Sequence, residues 1–371
     1  MADTTRAYEP GTHPSLPPPI TASGPILWVR KNLLGSPLNV ILTLVSLYLL
    51  YLIVPGILNW AVFDAVFYAG SRDECRELGS GACWAIANVR FGQFLYGFYP
   101  EDLRWRINLT AVLFLLALVP LLWDKTPFRQ HWFIYSGIFP IIAYVLLVGG
   151  FGLERVGTAR IGGFTLNVVI GVTGIVASLP LGILLALGRR SHMPIVRTLC
   201  VMFIEFIRGV PLITLLFIAS TMLNYFLPPG TSFDLILRVL IMVTLFAAAY
   251  IAEVVRGGLQ AIPKGQLEAA DAMGLGYWQS MRLVVLPQAL KISIPGIVNT
   301  FVGLFKDTTL VVIIGLTDVL GVGRASLSDS SWQGLAWEVY VFIALLFFVC
   351  CFSMARYSIY LEKRLHTGHK R

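Results

Sequence analysis

Apolar residues in this chain fall in long blocks separated by short polar stretches. A bilayer core about 30 Å thick requires roughly 20 mostly apolar residues of helix to cross it, so such blocks can be counted as spans. Eight are predicted, at about residues 37–59, 107–123, 133–152, 164–188, 198–226, 234–253, 292–316 and 337–359. The stretch before them, MADTTRAYEPGTHPSLPPPI, is polar and proline-rich. It lacks the apolar stretch and small-residue cleavage site of a signal peptide, so residues 1–36 read as a disordered cytoplasmic tail and the first span as an uncleaved anchor.

Composition agrees with a chain solvated by lipid. The 371 residues are 57% hydrophobic and 13% charged, against about 45–50% apolar and about 25% charged in soluble domains. The fold class expected is an all-α polytopic membrane protein. Lys and Arg in short loops resist translocation, and they fix the orientation. With the amino terminus inside, seventeen fall in cytoplasmic segments and eight in outer ones, the latter all arginine, which places both termini in the cytoplasm. The net charge of +8 is therefore assigned to topology and anionic lipid heads rather than to nucleic acid. Trp60, Trp105, Trp123, Trp132 and Trp337 lie near span ends, as in an interfacial aromatic belt.

Cys75 and Cys83 fall in the large outer segment at 60–106, where an oxidising compartment permits a disulfide; two free thiols are the alternative. Cys200, Cys350 and Cys351 lie in or beside spans and read as packing residues, and no metal-ligand spacing occurs. An intramembrane enzyme is disfavoured, because His13, His131, His192, His366 and His369 all fall in predicted cytoplasmic segments.

The chain divides near residue 160. Residues 37–160 hold three spans and the outer segment, which reads as a partly folded cap. Residues 161–371 hold five spans with short loops, save for a cytoplasmic stretch at 254–291. That stretch contains LEAADAMGLGYWQSMRLVVLP. Pro263 suits a helix start, Leu267 to Met273 suit its interior, and Gly274 ends it. A second helix is predicted from Tyr277 to Leu286, broken by Pro287 before span 7. A DNA-reading helix-turn-helix would have only Arg282 to offer, and both ends are tied to spans. An interfacial helix would want more cations. A docking element for a cytoplasmic partner explains the composition: Ala269, Ala270 and Ala272 let another surface approach, with Leu267 and Met273 as apolar anchors.

EAADAMGLGYWQSMRLVVLP resembles the signature loop of ABC-importer permeases, carried here by Glu268, Ala269, Ala270, Gly274, Val284, Leu286 and Pro287, with Val284 standing for isoleucine. The flanks FIEFIRGVPL, AEVVRGGLQAIPKGQ and PQALKISIPGIVNTFVGLFKDTTL are similar to polar-amino-acid permeases of the histidine-permease type, over residues from about 160 to 360. The three additional spans resemble the larger, M-type permease subunits of the general L-amino-acid transporter. This resemblance implies a five-helix type I importer core preceded by three extra helices. It also implies a second, related permease subunit in a heterodimer, two ATPase subunits and a periplasmic amino-acid-binding protein, in an inner membrane. On it, the loop is the coupling helix seated on the ATPase: Glu268 orients it, Gly274 makes its turn and Pro287 fixes the exit angle. No GxxxxGK[ST] phosphate loop occurs, so ATP and Mg are expected in the partners, with no cofactor and no catalytic role on this chain.

Polar groups inside spans commonly face a cavity. Glu205 and Arg208, at i and i+3 in span 5, form either a structural pair near the cytoplasmic end or part of a gate, beside the break expected at Gly209 and Pro211. Arg238, and Glu253 with Arg256, fit snorkelling or local pairing. In span 7, Asn299, Lys306, Asp307 and Thr308 are candidates for a substrate pathway; a buried network or a helix break is the structural alternative. The amino acids themselves are expected to be broad in kind and polar-biased. An ion-coupled secondary transporter is the competing class, although no inverted repeat is visible.

Overall fold

The computed structural model describes residues 24–122, 126, 129–222, 225, 228 and 233–365. Residues 1–23 of the expected tail lie outside these, as do Trp123, His13, His366 and His369. The chain divides into two units, Met1–Val66 with Arg76–Ala82, and Phe67–Cys75 with Cys83–Arg371.

In the first unit, residues expected to be tail instead form helix α1, Pro25–Asn32, with proline at its start. Helix α2, Pro37–Leu58, is the first span. Ser36 caps it by accepting from the Asn39 N–H at 3.2 Å. It is apolar on every side and has no buried residue. A π turn, Asn59–Phe63, ends it.

The second unit begins with the outer segment. Its short helices are α3, Arg72–Leu78, which runs on into the first unit, α4, Ala85–Val89, and α5, Phe91–Tyr96. Cys75 and Cys83 are joined as a disulfide with Cα atoms 5.8 Å apart. Two long helices follow, α6, Arg104–Leu122, and α7, Arg129–Val148. The hydroxyls of Tyr135 and Ser136 sew them together by donating to the Leu113 and Ala117 carbonyls at 3.0 and 2.9 Å.

The rest of the chain forms helices α8, Gly163–Arg189; α9, Pro194–Gly209; α10, Leu212–Phe217; α11, Leu235–Gln260; α12, Lys264–Ala272; α13, Tyr277–Ser280; α14, Leu286–Asp307; α15, Val319–Leu327; and α16, Ala336–Leu365. The core lies where α8, α11 and α14 meet, around fully buried Ile170, Val239, Ala248, Ile251 and Val255. Small residues set the spacing. A Cβ added at Gly182 of α8 would lie 2.6 Å from the Ile251 side chain, and one at Gly258 of α11 would lie 2.5 Å from the Ala289 carbonyl oxygen of α14.

The outer segment is not loosely attached to this core. Thr165 Oγ1 donates to the Leu95 carbonyl at 2.8 Å, Arg72 N–H to Ser331 at 2.9 Å, and Cys83 N–H to Glu338 Oε1 at 3.3 Å. Arg90 pairs with Asp329. Ile86 and Phe94 are almost wholly buried, which explains the segment's aromatic and apolar content.

Among the described residues six helices are long and apolar enough to cross a membrane, and Ile134–Val148 is a shorter apolar helix at the third expected span. The fifth span, 198–226, is broken where Gly209 and Pro211 are expected to disturb it: it is a pair, α9 and the α10 segment, bent by 103°. Pro211 has no N–H to continue the helix and disfavours helical backbone in Val210, which is extended at φ −111° and ψ 133°. The seventh span begins earlier than expected, at Leu286, and gives way after Asp307 to a 3₁₀ segment, Thr308–Ile314.

Candidate coupling site

Between α11 and α14 the chain folds as helix, tight turn, helix. Pro263 is the N-cap of α12. At the other end Gly274 takes φ 74°, its N–H donates to Asp271 at 2.9 Å, and the Leu275 N–H donates to Ala270 at 3.1 Å. These two bonds constitute a Schellman motif, which satisfies carbonyls that the helix end leaves free. Nothing lies within 4 Å of a Cβ added at Gly274, so only the backbone conformation demands glycine there.

One prediction about this element fails. Pro287 does not break the second helix: α13 continues through a π turn, Met281–Val285, into α14, with Pro287 in the first turn of the latter. A proline removes one backbone donor and crowds the carbonyl four residues back, and the widened turn directly before it accommodates both. Gln288 then reinforces the joint. Its Nε2 donates to the Val284 carbonyl at 2.9 Å and to Gln266 Oε1 of α12 at 3.0 Å, pinning the two arms together.

The alanines also divide differently from expectation. Ala270 is 3% exposed, and Leu267 packs against the core formed by Ile262, Met281, Val285 and Ala289. Residues three apart on a helix share a face, so these two anchor the element to its own chain and are not open to a partner. Glu268, Ala269, Asp271, Ala272 and Met273 are exposed, as are Tyr277 and Trp278, whose rings meet edge to face at 5.3 Å. Glu268 makes no hydrogen bond or ion pair among the described residues. Leu286 is half-buried and Pro287 exposed.

At the same end of the core, Glu205 and Arg208 do not pair with each other. Arg189, at the end of α8, bridges Glu205 at 2.8 Å and Glu253 at 2.6 Å. Arg256 pairs with Glu253 at 2.8 Å, as the local pairing expected on α11, and Arg208 approaches Glu253 at 3.9 Å while lying 5.6 Å from the Tyr250 ring centre. The hub ties α8, α9 and α11 together. The sequence marks Arg189 only as one of the cytoplasmic cations and Glu253 only as a local partner of Arg256, since residues so far apart in sequence show no sign of meeting.

The span 7 candidates separate into two groups. Thr308 is buried, its Oγ1 accepting from Asn167 Nδ2 at 3.0 Å. The same amide donates to Asp318 Oδ2 at 3.1 Å, while Asn167 Oδ1 accepts the Val319 N–H at 3.1 Å. Thr308 thus belongs to a buried amide network, the structural alternative for this position. Asn167 is missing from the sequence's candidates, and its only signal there is an amide standing alone in an apolar span. Asn299 and Lys306 are exposed and Asp307 half-buried, with the helix break falling directly after Asp307. Arg238, read as snorkelling, is buried and donates to the Ala219 carbonyl at 3.3 Å, satisfying the end of the α10 segment.

Comparison with known proteins adds to this geometry. Residues 178–367 match the family described as binding-protein-dependent transport system inner membrane component. The inner membrane amino-acid ABC transporter permease protein YhdY of Escherichia coli (strain K12) is 52% identical over 359 residues, covering 96% of this chain and 97% of that protein. BztC of Rhodobacter capsulatus, a glutamate/glutamine/aspartate/asparagine transport system permease protein, is 47% identical, covering 95% of this chain and 96% of its own length. A crystal structure of an amino acid ABC transporter with histidines is similar over 54% of this chain and 92% of that one, at 27% identity and a TM-score of 0.49.

Proposed function

The chain belongs to the family of binding-protein-dependent transport inner membrane components and is an amino-acid permease of an ABC importer, and on that premise we propose that the α12–α13 element is the handle by which partner ATPases move its spans. The observation that carries this reading is the sidedness of α12. One face, with Leu267 and Ala270, is fixed to the core, and the other presents unpaired Glu268 beside the small residues Ala269 and Ala272. A lever needs both, a rigid mounting and a free surface. The Schellman turn and the Gln266–Gln288 bond stiffen the mounting. The ion-coupled alternative finds no support among the relatives.

In this reading ATP and Mg are used by two partner ATPases, and a periplasmic binding protein delivers the substrate. A second, related permease subunit completes a heterodimer in the inner membrane, with this chain as its M-type member and both termini in the cytoplasm. The range of amino acids is broad and polar-biased. Asn299 and Lys306, seven residues apart, share one face of α14, with Gly303 between them opening on space. Lipid does not suit an exposed amide and ammonium, so this stripe is assigned to the amino-acid path. Glu205 and Arg208 are assigned to the hub that holds α9.

Photo-crosslinking tests the docking face directly. A benzophenone attached to a cysteine at Ala269 or Ala272 is expected to capture a co-purified ATPase, and one at buried Ala270 is not. Capture from Ala270 alone, or no ATPase in the preparation, would contradict the assignment.

A further inference from the structure

Directly after α7 the chain makes a tight reversal, Gly150-Phe151-Gly152-Leu153. The Gly150 N–H donates to Leu153 at 3.2 Å and the Leu153 N–H returns to Gly150 at 3.0 Å. Both central residues have positive φ, 52° at Phe151 and 91° at Gly152, the pattern of a type I′ turn, whose first central position favours Asn, Asp or Gly. Phe151 is the one non-glycine residue with positive φ among the described residues. A bulky side chain is strained there. Its ring is nevertheless 96% exposed, so contacts within the chain do not offset the strain.

The base of the turn is held firmly. Val156 N–H donates to Val148 at 2.9 Å, Arg106 Nη1 to the Glu154 carbonyl at 2.7 Å, and Tyr99 OH to the Leu147 carbonyl at 2.9 Å. The ring is therefore presented on a rigid mount and not on a loose loop. Its surroundings indicate what it meets. Along α7, Ile134, Ile138, Ile141 and Tyr144 are exposed at helical spacing, an apolar stripe on the helix that ends at the turn. Trp105, at the start of α6, is 48% exposed and stacks near Arg106, which itself bonds the turn. Arg155 and Arg160 are exposed just beyond.

We propose that Phe151 is a membrane-interface anchor, its ring inserted at the headgroup–acyl boundary on the side of the outer segment, with Arg155 and Arg160 available to lipid phosphates. An aromatic tip preceded by an exposed apolar helix face and followed in the chain by exposed cations suits that boundary. Transfer of the ring out of water then offsets the cost of its backbone. An external soluble protein is the competing occupant.

The test uses the assembled transporter in phosphatidylethanolamine–phosphatidylglycerol vesicles, with Cys200, Cys350 and Cys351 replaced by alanine. Bimane is attached in turn to Phe151→Cys and Glu154→Cys, and quenching by a shallow doxyl-lipid is compared with quenching by aqueous iodide. The proposal expects doxyl quenching at 151 at least threefold that at 154, the reverse order for iodide, and no change when soluble binding protein is added. Equal quenching at the two positions overturns it. So does an iodide-accessible label at 151 that becomes shielded only with the binding protein, which would make the tip a protein-docking point.

Discussion

Glu253 faces three guanidinium groups, those of Arg189, Arg256 and Arg208, while its own side chain is only 15% exposed. Glu253→Gln leaves those cations close together without their shared anion, and is expected to destabilise the protein by about 2–3 kcal/mol. Glu205, whose side chain is 53% exposed, binds Arg189 at a wetter edge, and Glu205→Gln should cost under about 1 kcal/mol. Thermal unfolding of the two purified variants checks the order; equal losses would contradict it. At Gly274 the relevant quantity is backbone conformation, since no neighbour opposes a side chain. Gly274→Ala should cost about 1 kcal/mol and weaken uptake, whereas Gly274→Asn, which tolerates the left-handed region, should keep most of it. Similar uptake by the alanine variant and the native chain would remove the turn from the account.

At the scale of elements, the mounting of the coupling helices depends on how closely α11 and α14 approach. A Cβ at Gly258 would lie 2.1 Å from Ser293 Oγ and 2.5 Å from the Ala289 carbonyl oxygen. A hydroxyl can rotate away and a helix backbone cannot, so Gly258→Leu must push the helices apart. A loss of about 1–3 kcal/mol is expected, together with uptake reduced more than ATPase binding, because the docking face itself is untouched. Pull-down and transport measured on one preparation distinguish this from simple unfolding. The sequence made six of the eight expected span locations legible as full-length apolar helices, because length and apolarity alone specify them, while the third is a shorter apolar helix and the fifth a bent pair. It also located Gly274 as a turn, since a glycine after an alanine-rich helix has few other reasons to be there. Which face of α12 is buried was not legible. Leu267 and Ala270 look like partner contacts until the packing of Met281 and Val285 beneath them is known. The course of Pro287 escaped for a similar reason: proline stops an isolated helix, but a preceding π turn absorbs it.

For the whole molecule, polar residues in spans mark a site only if they remain unsatisfied by the fold. The sequence offers Glu205 and Arg208 as a structural pair or part of a gate, and Asn299, Lys306, Asp307 and Thr308 as pathway candidates or a buried network. The structure gives Glu205 and Arg208 to an ion-pair hub and Thr308 to a buried amide network, and leaves Asn299 and Lys306 exposed on one face of α14. Such sorting needs contacts between residues 16 to 152 positions apart, which no local pattern encodes. The free face of α12 is proposed to carry ATP-driven motion into these spans. The measurement is amino-acid-stimulated ATP hydrolysis and amino-acid uptake together, in proteoliposomes of the assembled transporter with added binding protein, for the native chain and for Glu268→Lys and Gly274→Val, whose β-branched side chain is barred from the left-handed region. Both variants are predicted to insert and yet lose uptake and stimulated hydrolysis together; normal uptake by both, or uptake driven by an ion gradient with no ATPase present, would contradict the claim.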